Sequence, residues 1–403
     1  MQLVKPSLRA FRMSALIALV ALIGAALSVG IAPNEASAQD VGKVCLSTDV
    51  GGRGDLSFND MAFKGADEAV DEFGLDLQVA QPSSESDYLP TLRQFARSGE
   101  CGIIIGVGFL LTDAINQAAQ EFPNQKFSII DAVVDQPNVR SFLFQEQQVS
   151  ALLGALGAMV AAENDFPGIG IVLGVEIPVL WRFEAGYRYG IQWGEDFYER
   201  VTGESADIDL SWTYTGTFSD IAKGKSAAQS QYAQGAAVVY NVAGPLGLGI
   251  LEALREKLDQ EGRDAGPPYM FGVDANQDYL GNGNKVLSSG MKRVDRAAFE
   301  AIESVVDGTF EGGVATLGLQ DRGVGMSRYS ALEDFIDFGL EAGEIEEGNV
   351  ETIKSNWLEM REGVPQFIWD GVNELENLII SGEVTPPNPG NEDEIQEVRE
   401  QYP

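Results

Sequence analysis

Eight residues of this chain stand where ligand chemistry is expected: Asp49, Phe58, Asn59, Phe109, Asp131, Phe218, Asp274 and Lys292. Each follows closely on an apolar run that reads as a β-strand, and a parallel sheet presents its ligand groups at the carboxyl ends of its strands. Carboxylates accept charge-assisted hydrogen bonds from hydroxyls and ring N–H groups, while phenyl rings stack on flat heterocycles. Together these groups suit an uncharged, sugar-linked heterocycle such as a nucleoside. Asp55, Ser57, Ser219 and Asp220 occupy similar places. Acids and amides at strand-to-helix junctions equally serve as helix caps, and an aromatic at a helix start equally packs into a core, so each residue taken singly carries both readings.

Other chemistries fail on residue type or spacing. The 403 residues include no histidine and only two cysteines, Cys45 and Cys101. Ser-His-Asp and Cys-His mechanisms, HExxH zinc sites and Cys/His metal clusters therefore cannot be written, and no metal or cofactor is expected. Gly224, Lys225 and Ser226 end like a P-loop, but Ser219 stands where its first glycine belongs. Gly244, Gly247 and Gly249 open a helix after a strand with spacing that misses the dinucleotide fingerprint, and Pro245 intrudes. No GxSxG elbow occurs, and acids are too common for a glycosidase pair to be singled out.

The candidate residues need a scaffold, and the chain supplies repeated βα units. Apolar segments Val41 to Thr48, around Leu77, Gly102 to Val107 and Phe127 to Ile130 alternate with helical patterns over Phe58 to Phe73, Leu89 to Ser98 and Asp113 to Glu121. The pattern restarts at Gln147 and runs to the strand Tyr269 to Val273. Such alternation predicts parallel sheets with right-handed crossovers. The expected fold is α/β and two-lobed: a first lobe of residues 40–145 plus 286–313, and a second of 146–285 plus 314–380. Three interlobe crossings join them, with the ligand between. A single wide doubly wound sheet is the alternative. Ser330 to Gly363 reads as acidic and helical, and 381–403 as an acidic, Pro-rich, extended tail. Cys45 and Cys101 fall on neighbouring strands, so a disulfide and a pair of packed thiols are both open.

Lys5, Arg9 and Arg12, an apolar run from Met13 to about Ile31, and the small-x-small end Ala36 to Ala38 describe a secretory signal peptide over residues 1–38. A retained membrane anchor is the competing reading of the apolar run. No lipobox cysteine follows, so a soluble periplasmic or secreted protein is expected, reaching the membrane only through a partner. Cleavage removes three bases and one acid, leaving 24 bases against 60 acids. That balance excludes nucleic acid and anionic membrane surfaces as partners.

The residues also resemble a known family. Asp49 to Asn59 (DVGGRGDLSFN) is similar to the opening motif of the basic membrane protein family, the PnrA-like nucleoside-binding lipoproteins and their relatives. Further similarities follow in order: Gly106 to Leu110, Phe127 to Asp131, Glu176 to Pro178, Arg182 to Gly186, Thr215 to Lys225, Val242 to Gly244, Gly272 to Asp274 with Gln277, and Met291 to Asp295. The resemblance implies a type I periplasmic-binding fold, no catalysis, and delivery of nucleosides to an ABC permease. It implies that Phe58 and Phe218 sandwich the base, Asn59 and Asp131 bond its edge, and Asp49, Asp274 and Lys292 hold the ribose. The chain departs from the family pattern in lacking the lipid-anchoring cysteine, in Pro245, and in a longer acidic segment after Ser330. A monomeric import receptor is thus the expectation. A signalling receptor of the same fold and a secreted nucleoside hydrolase are the alternatives.

Acidity this dense suits a medium whose salt screens self-repulsion. Thermal unfolding should therefore occur at higher temperature in molar KCl than at low salt. Equal or greater stability without salt would contradict this.

Overall fold

The computed structural model describes residues 42–403; the expected signal peptide, residues 1–38, lies outside them. Short apolar strands such as Cys101–Val107 (CGIIIGV) and Phe127–Ile130 (FSII) are almost wholly buried, as strands covered by helices on both faces must be. They assemble into two sheets. The first holds β1 (Lys43–Ser47), β2 (Asp76–Ala80), β3 (Cys101–Val107), β4 (Phe127–Ile130), β5 (Val139–Phe144) and β11 (Gly313–Leu317), in the order β11-β5-β4-β3-β1-β2, all parallel. The second holds β6 (Gly168–Leu173), β7 (Asp209–Tyr214), β8 (Ala236–Val242), β9 (Tyr269–Asp274), β10 (Val286–Lys292) and β12 (Val324–Met326), in the order β12-β10-β9-β8-β6-β7. Only β12 runs antiparallel to its neighbour.

Helices α1 (Phe58–Phe73), α2 (Tyr88–Ser98), α3 (Thr112–Glu121) and α8 (Val294–Val306) belong with the first sheet. Helices α4 (Glu146–Glu163), α5 (Pro178–Thr202), α6 (Ile221–Ala233) and α7 (Leu246–Gln260) belong with the second. The acidic segment forms α9 (Tyr329–Glu341) and α10 (Val350–Glu362), with Phe335 and Ile345 buried, and α11 (Gln366–Ser381) follows. The chain crosses between sheets after β5, after β10 and after β11. Cys45 and Cys101, left open by the sequence, form a disulfide between the neighbouring strands β1 and β3, with Cα atoms 5.7 Å apart.

Three expectations are corrected. Val286–Lys292 was expected in the first lobe, but it pairs with β9 in the second sheet; the crossing falls after Lys292. Likewise the first lobe does not end at 313, because β11 pairs with β5 through Leu317. A succession of βα units does not specify which sheet a strand joins, and the pairing decides it. The stretch 381–403 is not a wholly extended tail: Asn391 caps a helix α12 (Glu392–Gln401), accepting a bond from the Glu394 N–H. Ile395 and Val398 are buried beside Ala185 and Trp181 of α5.

Helix α4 is buried on nearly every side and apolar to match. It meets α5 at backbone contact. A Cβ on Gly186 would sit 2.2 Å from the Gln147 carbonyl oxygen, and one on Gly190 2.1 Å from that of Ala151. Overpacking of this kind costs about 1–3 kcal/mol, so Gly190→Val should lower unfolding free energy by about that amount in urea titration. A loss under about 0.5 kcal/mol would contradict so close an approach.

Candidate functional site

The loop after β1 folds around its own acids. Asp55 accepts bonds from the Ser57, Asn59 and Asp60 N–H groups and so caps the start of α1. Asp49 accepts from the Gly51 N–H at 2.8 Å and from Asn59 Nδ2 at 2.8 Å. Asn59 Nδ2 also lies 3.3 Å from Asp55 Oδ2. With two carboxylates fixing its amide nitrogen, Asn59 has its Oδ1 turned away from both, buried and without a hydrogen-bond partner among the described residues.

The ends of β4 and β9 carry Asp131 and Asp274, and both adopt positive φ, 71° and 61°. Aspartate tolerates this left-handed conformation better than most residues, and such strain concentrates at functional positions. Lys292, at the end of β10, is 2 % exposed and meets both acids. Its Nζ donates to Asp131 Oδ2 at 2.7 Å and lies 3.7 Å from Asp274 Oδ1 and 3.8 Å from Glu146 Oε1. The ammonium also sits 4.7 Å from the ring centre of Phe58, a cation–π contact. Glu146 is in turn held by Arg182 Nε at 2.7 Å.

Burial alone would lower the Lys292 pKa, but Asp131, Asp274 and Glu146 outweigh it and hold the value above its ordinary range. The acids shift the other way. Burial, only partly offset by Lys292, pushes Asp131 up to about 6 and raises Asp274. Burial likewise raises Asp49 against the bonds from Asn59 and Gly51.

These groups surround one cavity between the two lobes, with about 60 Å³ of free space. Asp49, Phe58, Asn59, Phe109, Asp131, Phe218, Asp274 and Lys292 all line it. Ser57 and Asp220, considered with them, have structural duties instead. Ser57 Oγ joins the lobes through the Val273 carbonyl at 3.0 Å and Asp274 Oδ2 at 3.1 Å, and the Asp220 side chain caps α6. Gln277 Nε2 donates across the lobes to the Leu56 carbonyl at 3.0 Å. The sequence reading missed the apolar wall of Ile177, Val179, Leu180 and Phe183, and missed Glu146 behind Lys292. Phe183 lies inside the Arg182 to Gly186 motif, a signal that could have found it. Glu146 follows β5, a strand that the sequence reading did not place at all.

Two α/β lobes bonded across a buried, ring- and acid-lined cavity define a solute-binding protein. The sequence matches the model of the PnrA-like ABC transporter substrate-binding proteins over residues 43–354. It is 38% identical over 359 residues to an uncharacterized lipoprotein of Pyrococcus horikoshii, covering 88% of this chain and 86% of that one. It is 31% identical over 338 residues to the ABC transporter nucleoside-binding protein BmpA of Lactococcus lactis, covering 79% of this chain and 92% of that one. A solved ABC transporter solute-binding protein from Aeropyrum pernix superposes with a TM-score of 0.82 at 36% identity, covering 90% of this chain and 97% of that one. The chain belongs to the PnrA-like family of ABC transporter substrate-binding proteins. Helices α11 and α12 lie beyond residues 43–354, the region matched by the family model.

The raised acids give stability a sign. Asp131 binds its proton more tightly folded than unfolded, so its contribution is full below its ordinary value of 3.8 and is lost as pH rises through about 6. Asp49 and Asp274 act in the same direction. Glu184, lowered by Arg399 and Arg188 against its burial, loses its contribution only below about pH 4.5. The melting temperature of the ligand-free protein should therefore fall between about pH 4.5 and pH 6, and Asp131→Asn should flatten the fall. Parallel profiles would contradict this.

Proposed function

We propose that this protein captures an uncharged nucleoside, purine preferred, between its lobes and delivers it to the permease of an ABC importer without transforming it. One observation carries the reading. Asn59 Oδ1, Asp131 Oδ1 and Asp274 Oδ1 are buried, belong to residues lining the cavity, and have no hydrogen-bond partner among the described residues. Buried acceptors left this way call for donors from a ligand. Ribose hydroxyls and base N–H groups are such donors, and Phe58, Phe109 and Phe218 offer faces for a flat ring. Four lining acids, Asp49, Asp55, Asp131 and Asp274, against the single lining base Lys292 disfavour a phosphate.

In this reading Phe58 and Phe218 take the two faces of the base, Asn59 and Asp131 its edge, and Asp49, Asp274 and Lys292 the ribose. The protein works outside the cytoplasm after cleavage near Ala38. Both of its cysteines are joined in the Cys45–Cys101 disulfide, leaving no thiol for the lipid that the name of the Pyrococcus relative implies for that protein.

Calorimetry on ligand-stripped protein should give micromolar or tighter binding of inosine, guanosine or adenosine, and no binding of their monophosphates. Base stacking is worth about 1–3 kcal/mol, so Phe218→Ala should weaken binding by about ten- to a hundred-fold. No heat with any nucleoside would remove the ligand assignment and leave the family membership standing.

A further inference from the structure

The C-terminal helix α12, outside the matched region, grips the outer side of the segment whose inner side lines the cavity. The contact centres on Arg399. Its Nε donates to Glu184 Oε1 at 2.9 Å, and its Nη2 to Glu184 Oε2 at 2.7 Å and to Glu176 Oε1 at 3.0 Å. Glu184 is fully buried and has two further donors, Arg188 Nε at 2.8 Å and Tyr214 Oη at 2.9 Å. The Arg188 guanidinium also reaches the Tyr402 carbonyl at 3.0 Å. The Arg399 guanidinium lies 4.7 Å from the Trp212 ring, with Arg188 at 5.2 Å from the same ring.

Glu184 thus keeps charge-assisted partners without Arg399, whereas Glu176 does not. Among the described residues, the other hydrogen bond to the Glu176 carboxylate is a long one, 3.4 Å, from the Trp181 indole. Glu176 belongs to the irregular turn 174–177 between β6 and α5, and that turn supports two sides of the cavity. Ile177 lines it directly, followed on α5 by Val179, Leu180 and Phe183. Gly174 at the other end of the turn backs Phe218 so closely that a Cβ there would lie 2.2 Å from the ring. A shift of this turn therefore moves the apolar wall and the Phe218 ring together.

From this geometry we infer that Arg399 is a positioning residue for the ligand pocket: it ties Glu176 to the buried Glu184 and so holds the turn 174–177 against the ring of Phe218. The ligand part of this inference rests on the nucleoside reading; the positioning of the turn does not.

The test compares full-length wild type with Arg399→Ala and Glu176→Gln. The second variant changes a half-exposed side chain and leaves every bond to Glu184 in place, so it decides the matter should the first fail to fold. Amide hydrogen exchange on ligand-free protein should rise over residues 174–183 in both variants, with the strands of the second sheet unchanged. Calorimetry with inosine well below the unfolding transition should show binding weakened by about ten-fold in Arg399→Ala, the scale of one charge-assisted hydrogen bond. A purely stabilising contact would lower the melting temperature and leave both readouts as in wild type, and that result would overturn the inference. If wild type binds no nucleoside, the proposed function fails and the exchange data alone decide the role of Arg399.

Discussion

The buried ammonium of Lys292 is the interaction on which the rest of the cleft depends. Water is withdrawn from it, and three carboxylates replace that water: Asp131 from the first sheet, Asp274 from the second, and Glu146 just past the first crossing. Desolvating a cation is costly unless its partners are close and well placed, and here they come from both lobes. Lys292 is also the last residue of β10, after which the chain crosses back to the first sheet. One charge therefore sits at the structural junction and at the cavity wall.

The same arrangement leaves the cavity short of donors. Lys292 meets one oxygen of Asp131 at bonding distance, while Asp131 Oδ1 and Asp274 Oδ1 lack hydrogen bonds among the described residues. Direct bonds from Ser57 and Gln277 already hold the lobes together. A ligand that supplies donors to acids on both lobes adds to those bonds in the closed arrangement and in no open one. Differential stabilisation of this kind is what shifts a two-state cleft toward closure.

Support for the site extends well behind its lining. Glu146 and Arg182 back the lysine, and the glycine contacts between α4 and α5 set how near those helices approach. Helix α12 braces the first turns of α5 from outside through Glu184 and Glu176.

Much of this was legible in the residues. Apolar runs alternating with helical patterns determined parallel α/β lobes, because strand and helix periods are local properties of the chain. Strand-end position pointed to eight of the residues that line the cavity, since a parallel sheet presents those ends together. Tertiary structure alone decided the sheet to which Val286–Lys292 belongs, the pairing of β11 with β5, and the pairing of Cys45 with Cys101. It alone decided that Asp55 caps a helix while Asn59 Oδ1 has no hydrogen-bond partner among the described residues, and that Ile395 and Val398 anchor a charged terminal helix. These outcomes depend on which distant groups come within a few ångströms of one another. Hydrogen bonding and burial act through space, and spacing along the chain does not encode them.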